Sequence, residues 1–396
     1  MKIAIYYNHY NTLGHSTRIL SLIKGIKRDI PKSRIILFEG GRTASMLPLE
    51  KYAKVYTLPH SVDKKGFFIE ERRAFYKKMV ASGAMETMMK ARLGMMRSAL
   101  RDFKPDVFMT EYFPFGQEFW TFEMPALLRE IKSSSRCKIV GSCGYLSHIE
   151  KTHEYIQEFY DWLFVHSPRD FALKHVEQFS GEMARGLRRV LTDFKGKIQF
   201  TGFVLDEPRP VDPGRLRARY LCNGCSRMIF VSRGGGIVNK EILVSSILLA
   251  QRRPEYFFVV CCGPATSEAE LRGYEKIARG ARNVKLVHFM KPELFDRHLA
   301  AADVSVSMSG YNTSLKLMYF KKRAVLVPFY TTEQRWRAEM LAQYLPASVL
   351  PEQDVTVRRL EQAVEKVLQL SVPKKTVPRK WFTGVEETTR RLKCLL

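Results

Sequence analysis

Short apolar runs recur along the whole chain. Between them lie stretches in which the apolar residues are spaced three or four positions apart. Such runs are typical of buried strands, and the wider spacing is typical of helices. Their alternation predicts parallel sheets covered by helices on both faces, which places a ligand beyond the carboxyl ends of the strands. The predicted strands span residues 2–7, 34–38, 54–58, 106–110, 138–141, 163–166 and 198–201, followed by 228–232, 257–261, 284–287, 303–307 and 324–327.

A proline-containing segment separates the two series of strands. With 396 residues the chain exceeds the roughly 100–200 residues of one ordinary domain. Three prolines within residues 205–214 mark an interdomain linker. The sequence therefore predicts an α/β chain of two doubly wound domains, residues 1–204 and 215–370. The basic tail, residues 371–396, contains Trp381 and Phe382, so we expect it to dock on the first domain.

One histidine stands where a parallel sheet would bind a ligand. His15 follows Gly14 near the start of a helix predicted over residues 16–26. The positive end of a helix favours the neutral imidazole, which can accept a proton from a hydroxyl group. Glu111 follows the strand at 106–110, at the same sheet edge, and is a candidate base or hydroxyl ligand. The structural alternatives are local hydrogen bonding by His15 and, for Glu111, a helix-capping or surface carboxylate.

Two glycine turns follow strands of the second series. Residues 234–236 are consecutive glycines before a predicted helix, and Ser309-Gly310 precedes another helix. Glycines at a helix start let a phosphate approach the backbone amides closely. The first turn lacks the Lys-Ser/Thr pair of a Walker motif, so it is a weaker phosphate signal. The alternative is an ordinary strand–helix–strand unit that binds no nucleotide.

The formal charge of +25 predicts an anionic partner. Nucleic acid, an acidic membrane surface and phosphorylated substrates all fit that charge, but no nucleic-acid-binding signature accompanies it. Between residues 64 and 104, Phe and Met residues are interleaved with Lys and Arg residues. That composition suits docking on anionic lipid headgroups or on a lipid-linked acceptor. Two amphipathic helices with inward-facing Met residues are an equal alternative.

Membrane insertion and metal binding have no support in the sequence. No apolar run reaches the roughly 18 residues that cross a bilayer, and the chain begins as a strand rather than a signal peptide. We therefore expect a cytoplasmic protein, at most peripheral on the inner face of the membrane. Cys222 and Cys225 form a CxxC, but no second metal-binding pair accompanies them. We expect reduced thiols, no metal site and no cofactor.

Several short motifs, in this order and spacing, resemble the GT-B glycosyltransferases. They resemble more closely a group of predicted glycosyltransferases related to family 28, and the resemblance covers nearly the whole chain. The motifs are Gly14-His15, EYFPFG at residues 111–116 with FEMP at 122–125, TGF at 201–203, GGG at 234–236, GYNT at 310–313, VP at 327–328, Glu333-Gln334 and Arg337-Ala338.

The resemblance implies two Rossmann-like domains with a sugar nucleotide in the cleft between them, held mostly by the second domain. It implies inverting, metal-independent transfer of the sugar, most simply from a UDP-sugar, to a hydroxyl of a cytoplasmic or membrane-associated acceptor. His15 is the implied base. The implied donor-binding residues are Gly14, Arg233, Gly234, Gly235, Gly236, Phe289, Met290, Ser309, Gly310, Asn312, Thr313, Lys316, Glu333 and Gln334. A sugar-nucleotide 2-epimerase or hydrolase, and a degenerate protein that binds an anion without catalysis, are the alternatives.

Lys316 departs from the family pattern. In the family, the helix after the Ser-Gly-x-x-Thr motif carries a Glu that accepts hydrogen bonds from both ribose hydroxyls, and Lys316 stands at that position. A lysine ammonium only donates hydrogen bonds, so it cannot replace the carboxylate. A phosphate contact by Lys316, a different donor and a weakened enzyme are three explanations that the sequence leaves open.

Overall fold

A computed structural model of the chain describes residues 1–8, 13–41, 47–59, 77–116, 123–134, 136–147, 150–206, 208, 212–221, 224–235, 238–329 and 332–395. The chain divides into two compact units. Unit 1 comprises Met1–Val204 together with Lys380–Leu396, and unit 2 comprises Leu205–Arg379.

Unit 1 is a seven-stranded sheet with helices on both faces. Its strands are β1 (Lys2–Asn8), β2 (Arg34–Gly40), β3 (Lys54–Thr57), β4 (Val107–Glu111), β5 (Lys138–Cys143), β6 (Trp162–Val165) and β7 (Ile198–Phe200). Its helices are α1 (Leu13–Asp29), α2 (Ala84–Phe103), α3 (Met124–Ser134), α4 (Thr152–Phe159), α5 (Arg169–Val176), α6 (Gly181–Asp193) and, at the end of the chain, α14 (Gly384–Cys394). The strand order is β3-β2-β1-β4-β5-β6-β7, and every pair is parallel.

Both faces of this sheet are buried, which explains why its strands are continuously apolar. In β1, Ala4 and Tyr6 belong to one hydrophobic cluster, whereas Ile3, Ile5 and Tyr7 belong to another on the opposite face. Successive side chains of a strand point to opposite faces, so a sheet between two helical layers needs apolar residues at every position.

Unit 2 is a six-stranded parallel sheet with the order β10-β9-β8-β11-β12-β13. Its strands are β8 (Arg227–Ser232), β9 (Tyr256–Cys261), β10 (Val284–Val287), β11 (Val304–Ser307), β12 (Arg323–Leu326) and β13 (Ala347–Val349). Its helices are α7 (Pro213–Tyr220), α8 (Lys240–Arg252), α9 (Glu268–Ala278), α10 (Pro292–Ala301), α11 (Tyr311–Tyr319), α12 (Thr332–Leu341) and α13 (Val357–Gln369).

The α/β prediction is confirmed strand by strand, with differences at the ends of elements. Each predicted strand forms, but the short edge strand β13 was not predicted. Helix α7 begins at Pro213, inside the segment predicted as a linker, because the Asp212 side chain accepts a hydrogen bond from the Gly214 amide and caps the helix. Helix α1 begins at Leu13, three residues before the predicted start at residue 16.

The end of the chain packs within unit 1. Helix α14 lies against α1, where a side chain in place of Gly25 would overlap Val385. The Phe203 amide donates to the Trp381 carbonyl oxygen at 2.6 Å, and the Phe203 and Trp381 rings contact each other. The tail predicted to dock on the first domain, residues 371–396, is divided between the units. Residues from Lys380 onward belong to unit 1, and residues 371–379 belong to unit 2.

Candidate functional site

Each sheet has one point at which the strand order reverses direction. In unit 1 this point lies between β1 and β4, and in unit 2 it lies between β8 and β11. The loops that leave two such strands run to opposite sides, which opens a crevice at the carboxyl ends. The ends of β1, β4, β8 and β11 and the residues after them lie at these crevices, and they include Glu111 as the last residue of β4 and His15, Gly234 and Gly310 in the segments after the other strands.

His15 and Glu111 meet at the reversal point of unit 1. The Nδ1 atom of His15 lies 2.7 Å from Oε2 of Glu111, and the carboxylate is fully buried. Arg18, one helical turn after His15, donates from Nη2 to the other oxygen, Oε1. The His15 side chain is 23% exposed, so the imidazole reaches the surface while its carboxylate partner does not. The arrangement fixes the ring and stabilises the imidazolium that forms when the ring accepts a proton.

Tyr112 packs against this histidine. Its φ of +68° lies in the left-handed region, which is strained for a non-glycine residue. The Tyr112 ring meets the His15 ring edge-on, with 4.9 Å between centroids, and lies 5.2 Å from the Arg18 guanidinium carbon. The imidazole is therefore held by a ring on one side and by a carboxylate on the other.

A buried chain of hydrogen bonds lies beside Glu111. Ser142 pairs with Glu111 across β4 and β5, and its Oγ lies 2.8 Å from Nε2 of His166. Nδ1 of His166 lies 2.9 Å from Oγ1 of Thr201. Burial lowers the pKa of His166 well below its usual value, and the nearby charge of Arg18 lowers it further. His166 is therefore neutral, and it links the ends of β5, β6 and β7.

The glycine turn of unit 2 begins at Gly234, directly after β8. Gly234 has a φ of +66°, the left-handed conformation that glycine adopts at no steric cost. Helix α8 starts after Asn239, and no side chain caps its first amides among the residues that the structure describes. Gly235 accepts a hydrogen bond from the Ala265 amide at 3.0 Å, which ties the turn to the loop after β9. Gly236 lies outside the described residues.

The second turn, Ser309-Gly310, leads from β11 into α11. Gly310 is the N-cap, no side chain caps the helix in the described part of the chain, and a Cβ at Gly310 would meet no atom within 4 Å. Arg337 of α12 donates from Nη1 to the Ser309 carbonyl oxygen at 2.7 Å and lies 5.5 Å from the Tyr311 ring. Asn312 and Thr313 are half-buried in the first turn of α11.

Three buried serine hydroxyls line the same reversal point. Ser232 ends β8 and pairs with Ser307 at the end of β11, and Ser309 follows two residues later. The Oγ atoms of all three are buried and have no hydrogen-bond partner among the described residues. Unpaired buried hydroxyl groups cost free energy unless a ligand or water satisfies them, and uncapped helix starts favour anions. These hydroxyls and the two helix starts are therefore a candidate anion site.

Arg233 is one of the predicted donor-binding residues, but its side chain does not point into the open edge of the sheet. Its side chain is fully buried, Nε donates to the Cys262 carbonyl oxygen at 3.0 Å, and Nη2 donates to Oγ1 of Thr266 at 2.9 Å. The guanidinium is therefore directed at the loop after β9 rather than into the open edge. The sequence could not show this because the direction depends on how two neighbouring loops pack.

Lys316 has a charged partner that sequence reasoning missed. Its Nζ lies 2.5 Å from Oδ1 of Asp296 on α10 and 5.2 Å from the Phe295 ring, and both charged side chains are only 12% exposed. Burial raises the pKa of Asp296, while the Lys316 charge opposes that rise. Because its charge is already compensated, Lys316 is a poor candidate for a phosphate contact.

The other predicted donor residues separate into exposed and internally bonded groups. Phe289 is 37% exposed after β10, whereas the side chain of neighbouring Met290 is buried. Glu333 forms an ion pair with Arg337, and Oε1 of Gln334 accepts from the Phe329 amide at 3.0 Å. The structure thus brings Ser309, Gly310 and Glu333 together around Arg337. Gly14 and His15 lie at the start of α1, at the carboxyl edge of the unit 1 sheet.

The described residues contain neither a metal-ligand cluster nor a membrane-spanning helix. No group of three or more His, Cys, Asp or Glu side chains there is arranged to hold a metal ion. Helices long and apolar enough to cross a bilayer are likewise absent from that part of the chain. Cys222 of the CxxC lies outside the described residues.

The Met-rich basic segment is only partly described, because residues 60–76 lie outside. In α2, Met85 and Met96 pack inward, while Met95 is 37% exposed. The buried Arg92 donates from Nε to Oε1 of Glu123 at 2.7 Å and from Nη2 to the Tyr6 hydroxyl at 3.0 Å. The helix is thus anchored by a buried ion pair, with some Met residues inward and some outward.

Comparison with known proteins identifies one domain. Residues 228–383, from β8 to the residue before α14, match the glycosyltransferase family 28 C-terminal domain. Two Bacillus cereus proteins, both UDP-N-acetylglucosamine--N-acetylmuramyl-(pentapeptide) pyrophosphoryl-undecaprenol N-acetylglucosamine transferase 2, are 30% identical over 194 and 195 residues. Each match covers 47% of this chain and 52% of the relative, so the matched part spans about half the length of these curated relatives.

Solved structures share the fold along the full chain. The calicheamicin glycosyltransferase CalG4 superimposes with a TM-score of 0.67 at 17% identity, covering 100% of this chain and 98% of that one. The UDP-GlcNAc 2-epimerase of Neisseria meningitidis gives 0.54 at 13% identity, covering 100% of both chains. The GT-B fold expected from the sequence is confirmed, and so is the resemblance to family 28. At these identities the structures show the fold alone, because both a transferase and an epimerase have it.

Proposed function

We propose, from the premise that unit 2 carries a glycosyltransferase family 28 C-terminal domain on a GT-B chain, that this protein is an inverting glycosyltransferase. It transfers a sugar from a nucleoside diphosphate donor, most simply a UDP-sugar, to a hydroxyl of a cytoplasmic or membrane-associated acceptor. The observation that carries the proposal is the placement of a histidine–carboxylate pair and an uncapped, hydroxyl-lined anion site at the reversal points of the two sheets.

In this proposal His15 is the general base. With Nδ1 bonded to Glu111, the Nε2 atom accepts the proton of the acceptor hydroxyl. The hydroxyl oxygen then attacks the anomeric carbon, the bond from that carbon to the diphosphate oxygen breaks, and the diphosphate leaves with the electron pair. Attack from the side opposite the leaving group inverts the anomeric centre. Glu111 is fully buried, so it acts as a positioning residue and does not itself touch the acceptor.

Unit 2 would hold the donor. The first amides of α8 and α11 and the hydroxyls of Ser232, Ser307 and Ser309 would receive the diphosphate. Helix dipoles and backbone N–H groups stabilise a departing diphosphate without a metal ion, because they are oriented before the reaction begins. The exposed Phe289 ring would stack on the nucleobase, and Glu333 and Gln334 would contact sugar hydroxyls.

A lipid-linked acceptor is the class that the relatives favour. The names of the Bacillus cereus relatives specify a pyrophosphoryl-undecaprenol acceptor. This chain carries a net charge of +25 and exposes Val80 and Met95 in and next to α2, which suits a peripheral position on an anionic membrane. We expect the protein to co-sediment with phosphatidylglycerol vesicles but not with phosphatidylcholine vesicles. If it bound neither kind of vesicle, the membrane would be removed from the proposal.

The deciding experiment combines nucleotide binding with product analysis. Calorimetry with UDP, GDP, ADP and dTDP should show micromolar binding of one nucleotide. Incubation of the matching nucleotide sugar with hydroxyl acceptors should then release the nucleotide and give a glycoside of inverted configuration. Formation of an epimerised sugar nucleotide or of free sugar would support the epimerase or hydrolase alternative, and the absence of any turnover with intact binding would support the non-catalytic alternative.

A further inference from the structure

A buried arginine beside the proposed base has no role in the chemistry described so far. Arg18 lies one helical turn after His15 on α1, and its side chain is only 3% exposed. Its Nη2 atom donates to Oε1 of Glu111, while Oε2 of the same carboxylate lies 2.7 Å from Nδ1 of His15. One carboxylate therefore lies between two groups that can each carry a positive charge.

The burial of Glu111 explains why an arginine is needed there. The carboxylate is fully buried, and a buried carboxylate is strongly destabilised unless a positive charge lies close to it. Without Arg18, a proton on His15 would compensate Glu111, and a protonated imidazole cannot accept another proton from an acceptor hydroxyl. An arginine keeps its charge at every pH that proteins encounter, so Arg18 compensates Glu111 while His15 is neutral.

The charge of Arg18 also acts on the groups around the histidine. Tyr112 contacts both partners, since its ring centroid lies 4.9 Å from that of His15 and 5.2 Å from the Arg18 guanidinium carbon. Burial lowers the pKa of His166 on the neighbouring strands, and the Arg18 charge lowers it further. Burial raises the pKa of Cys143 to about 12, and there the Arg18 charge opposes the rise. His166 and Cys143 are therefore uncharged near pH 7, and neither adds a charge beside the imidazole.

We infer that Arg18 is a positioning residue for the proposed base: it holds Glu111 as an ionised carboxylate and so keeps His15 neutral until the proton of the acceptor arrives. The carboxylate stabilises the imidazolium and the guanidinium opposes that effect, so the ring can both accept a proton and release it. The inference rests on the proposed function, because it concerns the proposed base. Its direct readout, the protonation of His15, requires no sugar transfer.

The first measurement is a titration of the wild-type protein by nuclear magnetic resonance. The imidazole C–H signals of His15 are identified by their absence from the spectrum of His15→Gln, and their shifts are followed from pH 5 to pH 9. We expect the ring to be neutral at pH 7 although it contacts a carboxylate. A ring that is protonated at pH 7 would overturn the inference, because His15 rather than Arg18 would then compensate Glu111.

Arg18→Met removes the positive charge but keeps an unbranched side chain. It should raise the midpoint of the His15 titration by about 1–2 pH units, because the Glu111 charge is then unopposed. Arg18→Lys retains the charge and should restore most of the wild-type midpoint. Arg28→Met is the matched control: it removes the same charge from the last turn of the same helix, where the Arg28 side chain is 57% exposed, and should leave the midpoint unchanged.

A second pair of variants tests the same charge if Arg18→Met does not fold. Glu111→Gln removes the negative charge and should lower the midpoint of the His15 titration. The double variant Arg18→Met, Glu111→Gln removes both buried charges and should raise the midpoint again. Replacing both members of a buried ion pair by neutral side chains is often well tolerated, so we expect the double variant to fold. Equal midpoints in these two proteins would show that the Arg18 charge does not act on the ring, and the inference would fall.

The outcomes separate this inference from the proposed function. In an active transferase, Arg18→Met should move the acid limb of the kcat/KM profile to higher pH by the same 1–2 units or so and leave nucleotide affinity unchanged. If transfer were found but neither the titration nor the acid limb moved, the inference would fall while the transferase proposal stood. If no transfer were found but the titration shifted as expected, the transferase proposal would fall and the charge balance at His15 would stand.

Discussion

The carboxyl edges of the two sheets differ in how their polar groups are paired. In unit 1, His15, Glu111 and Arg18 are bonded to one another, and the carboxylate is fully buried. In unit 2, by contrast, the helix starts at Lys240 and Tyr311 are uncapped, and the buried serine hydroxyls have no partners among the described residues. Among the described residues, the His15 and Glu111 side chains at the first edge are bonded to each other, whereas the three serine hydroxyls at the second edge have no partners.

This difference matches two different chemical tasks. A general base must be held in one orientation before the substrate arrives, so its hydrogen bonds are made within the protein. An anion site needs donors whose partners come with the ligand, so those donors have no partners within the protein itself. The comparison thus predicts that changes in unit 1 alter turnover, whereas changes at the edge of unit 2 alter donor binding.

The largest expected effect is that of His15→Ala. Without the base, the acceptor hydroxyl keeps its proton during attack, so kcat should fall by about 10²- to 10⁴-fold. The dissociation constant of the nucleotide should not change, because His15 belongs to unit 1, whereas the diphosphate and nucleobase contacts proposed above belong to unit 2. Transfer rates and calorimetry on the same preparation measure both quantities, and a matching loss of nucleotide affinity would break the comparison.

Gly310→Asp should have the reverse effect. The backbone of Gly310 already has the extended conformation of an N-cap, so an Asp side chain can cap α11. The cap occupies the amides and adds a negative charge, which should weaken nucleotide binding about 10- to 100-fold without lowering Tm. Gly310→Ala is the control, because its Cβ meets no atom within 4 Å, and it should retain binding.

Lys316→Glu tests the ion pair between Lys316 of α11 and Asp296 of α10. It would place two carboxylates against each other at Asp296, so we expect unfolding free energy to fall by about 2–4 kcal/mol, somewhat below the range for fully buried pairs. The double variant Lys316→Glu, Asp296→Lys restores opposite charges and should recover most of that loss. Denaturant unfolding measures both, and unchanged stability in the single variant would show that the pair is not formed.

The smallest expected effect is a pH dependence that arises at His166. Its pKa in the folded protein lies well below that of the unfolded chain, so the unfolded state binds the extra proton as the pH falls below about 6.5. Stability due to this neutral histidine is therefore present above that pH and decreases below it, by at most about 1.4 kcal/mol per pH unit. Unfolding curves for wild type and His166→Gln between pH 5 and 8 should differ in slope.

The fold was predictable because both faces of each sheet are buried. Strands such as β4 and β11 are apolar or small at nearly every position, which marks them in the sequence without any partner. Strand β13, Ala347–Val349, was missed because it is three residues long and half-buried at a sheet edge. Element boundaries such as the start of α7 depend on a single cap and are correspondingly harder to predict.

The candidate site was predictable only in part. His15 and Glu111 could be paired from their positions after neighbouring parallel strands, and Arg18 could have been added because it follows His15 by one helical turn. Asp296 could not be found, because its contact with Lys316 depends on how α10 packs on α11. The same limit applies to Arg233, whose direction is set by the loop after β9, and to Arg337, which reaches Ser309 from α12.

The most direct test of the division between the two edges measures kcat and nucleotide affinity together in wild type, His15→Ala and Gly310→Asp. We predict that His15→Ala loses turnover and keeps nucleotide affinity, whereas Gly310→Asp loses nucleotide affinity and keeps its Tm. If both variants lost the same quantity, or if His15→Ala retained full transfer activity, the assignment of proton transfer to unit 1 and donor binding to unit 2 would be wrong.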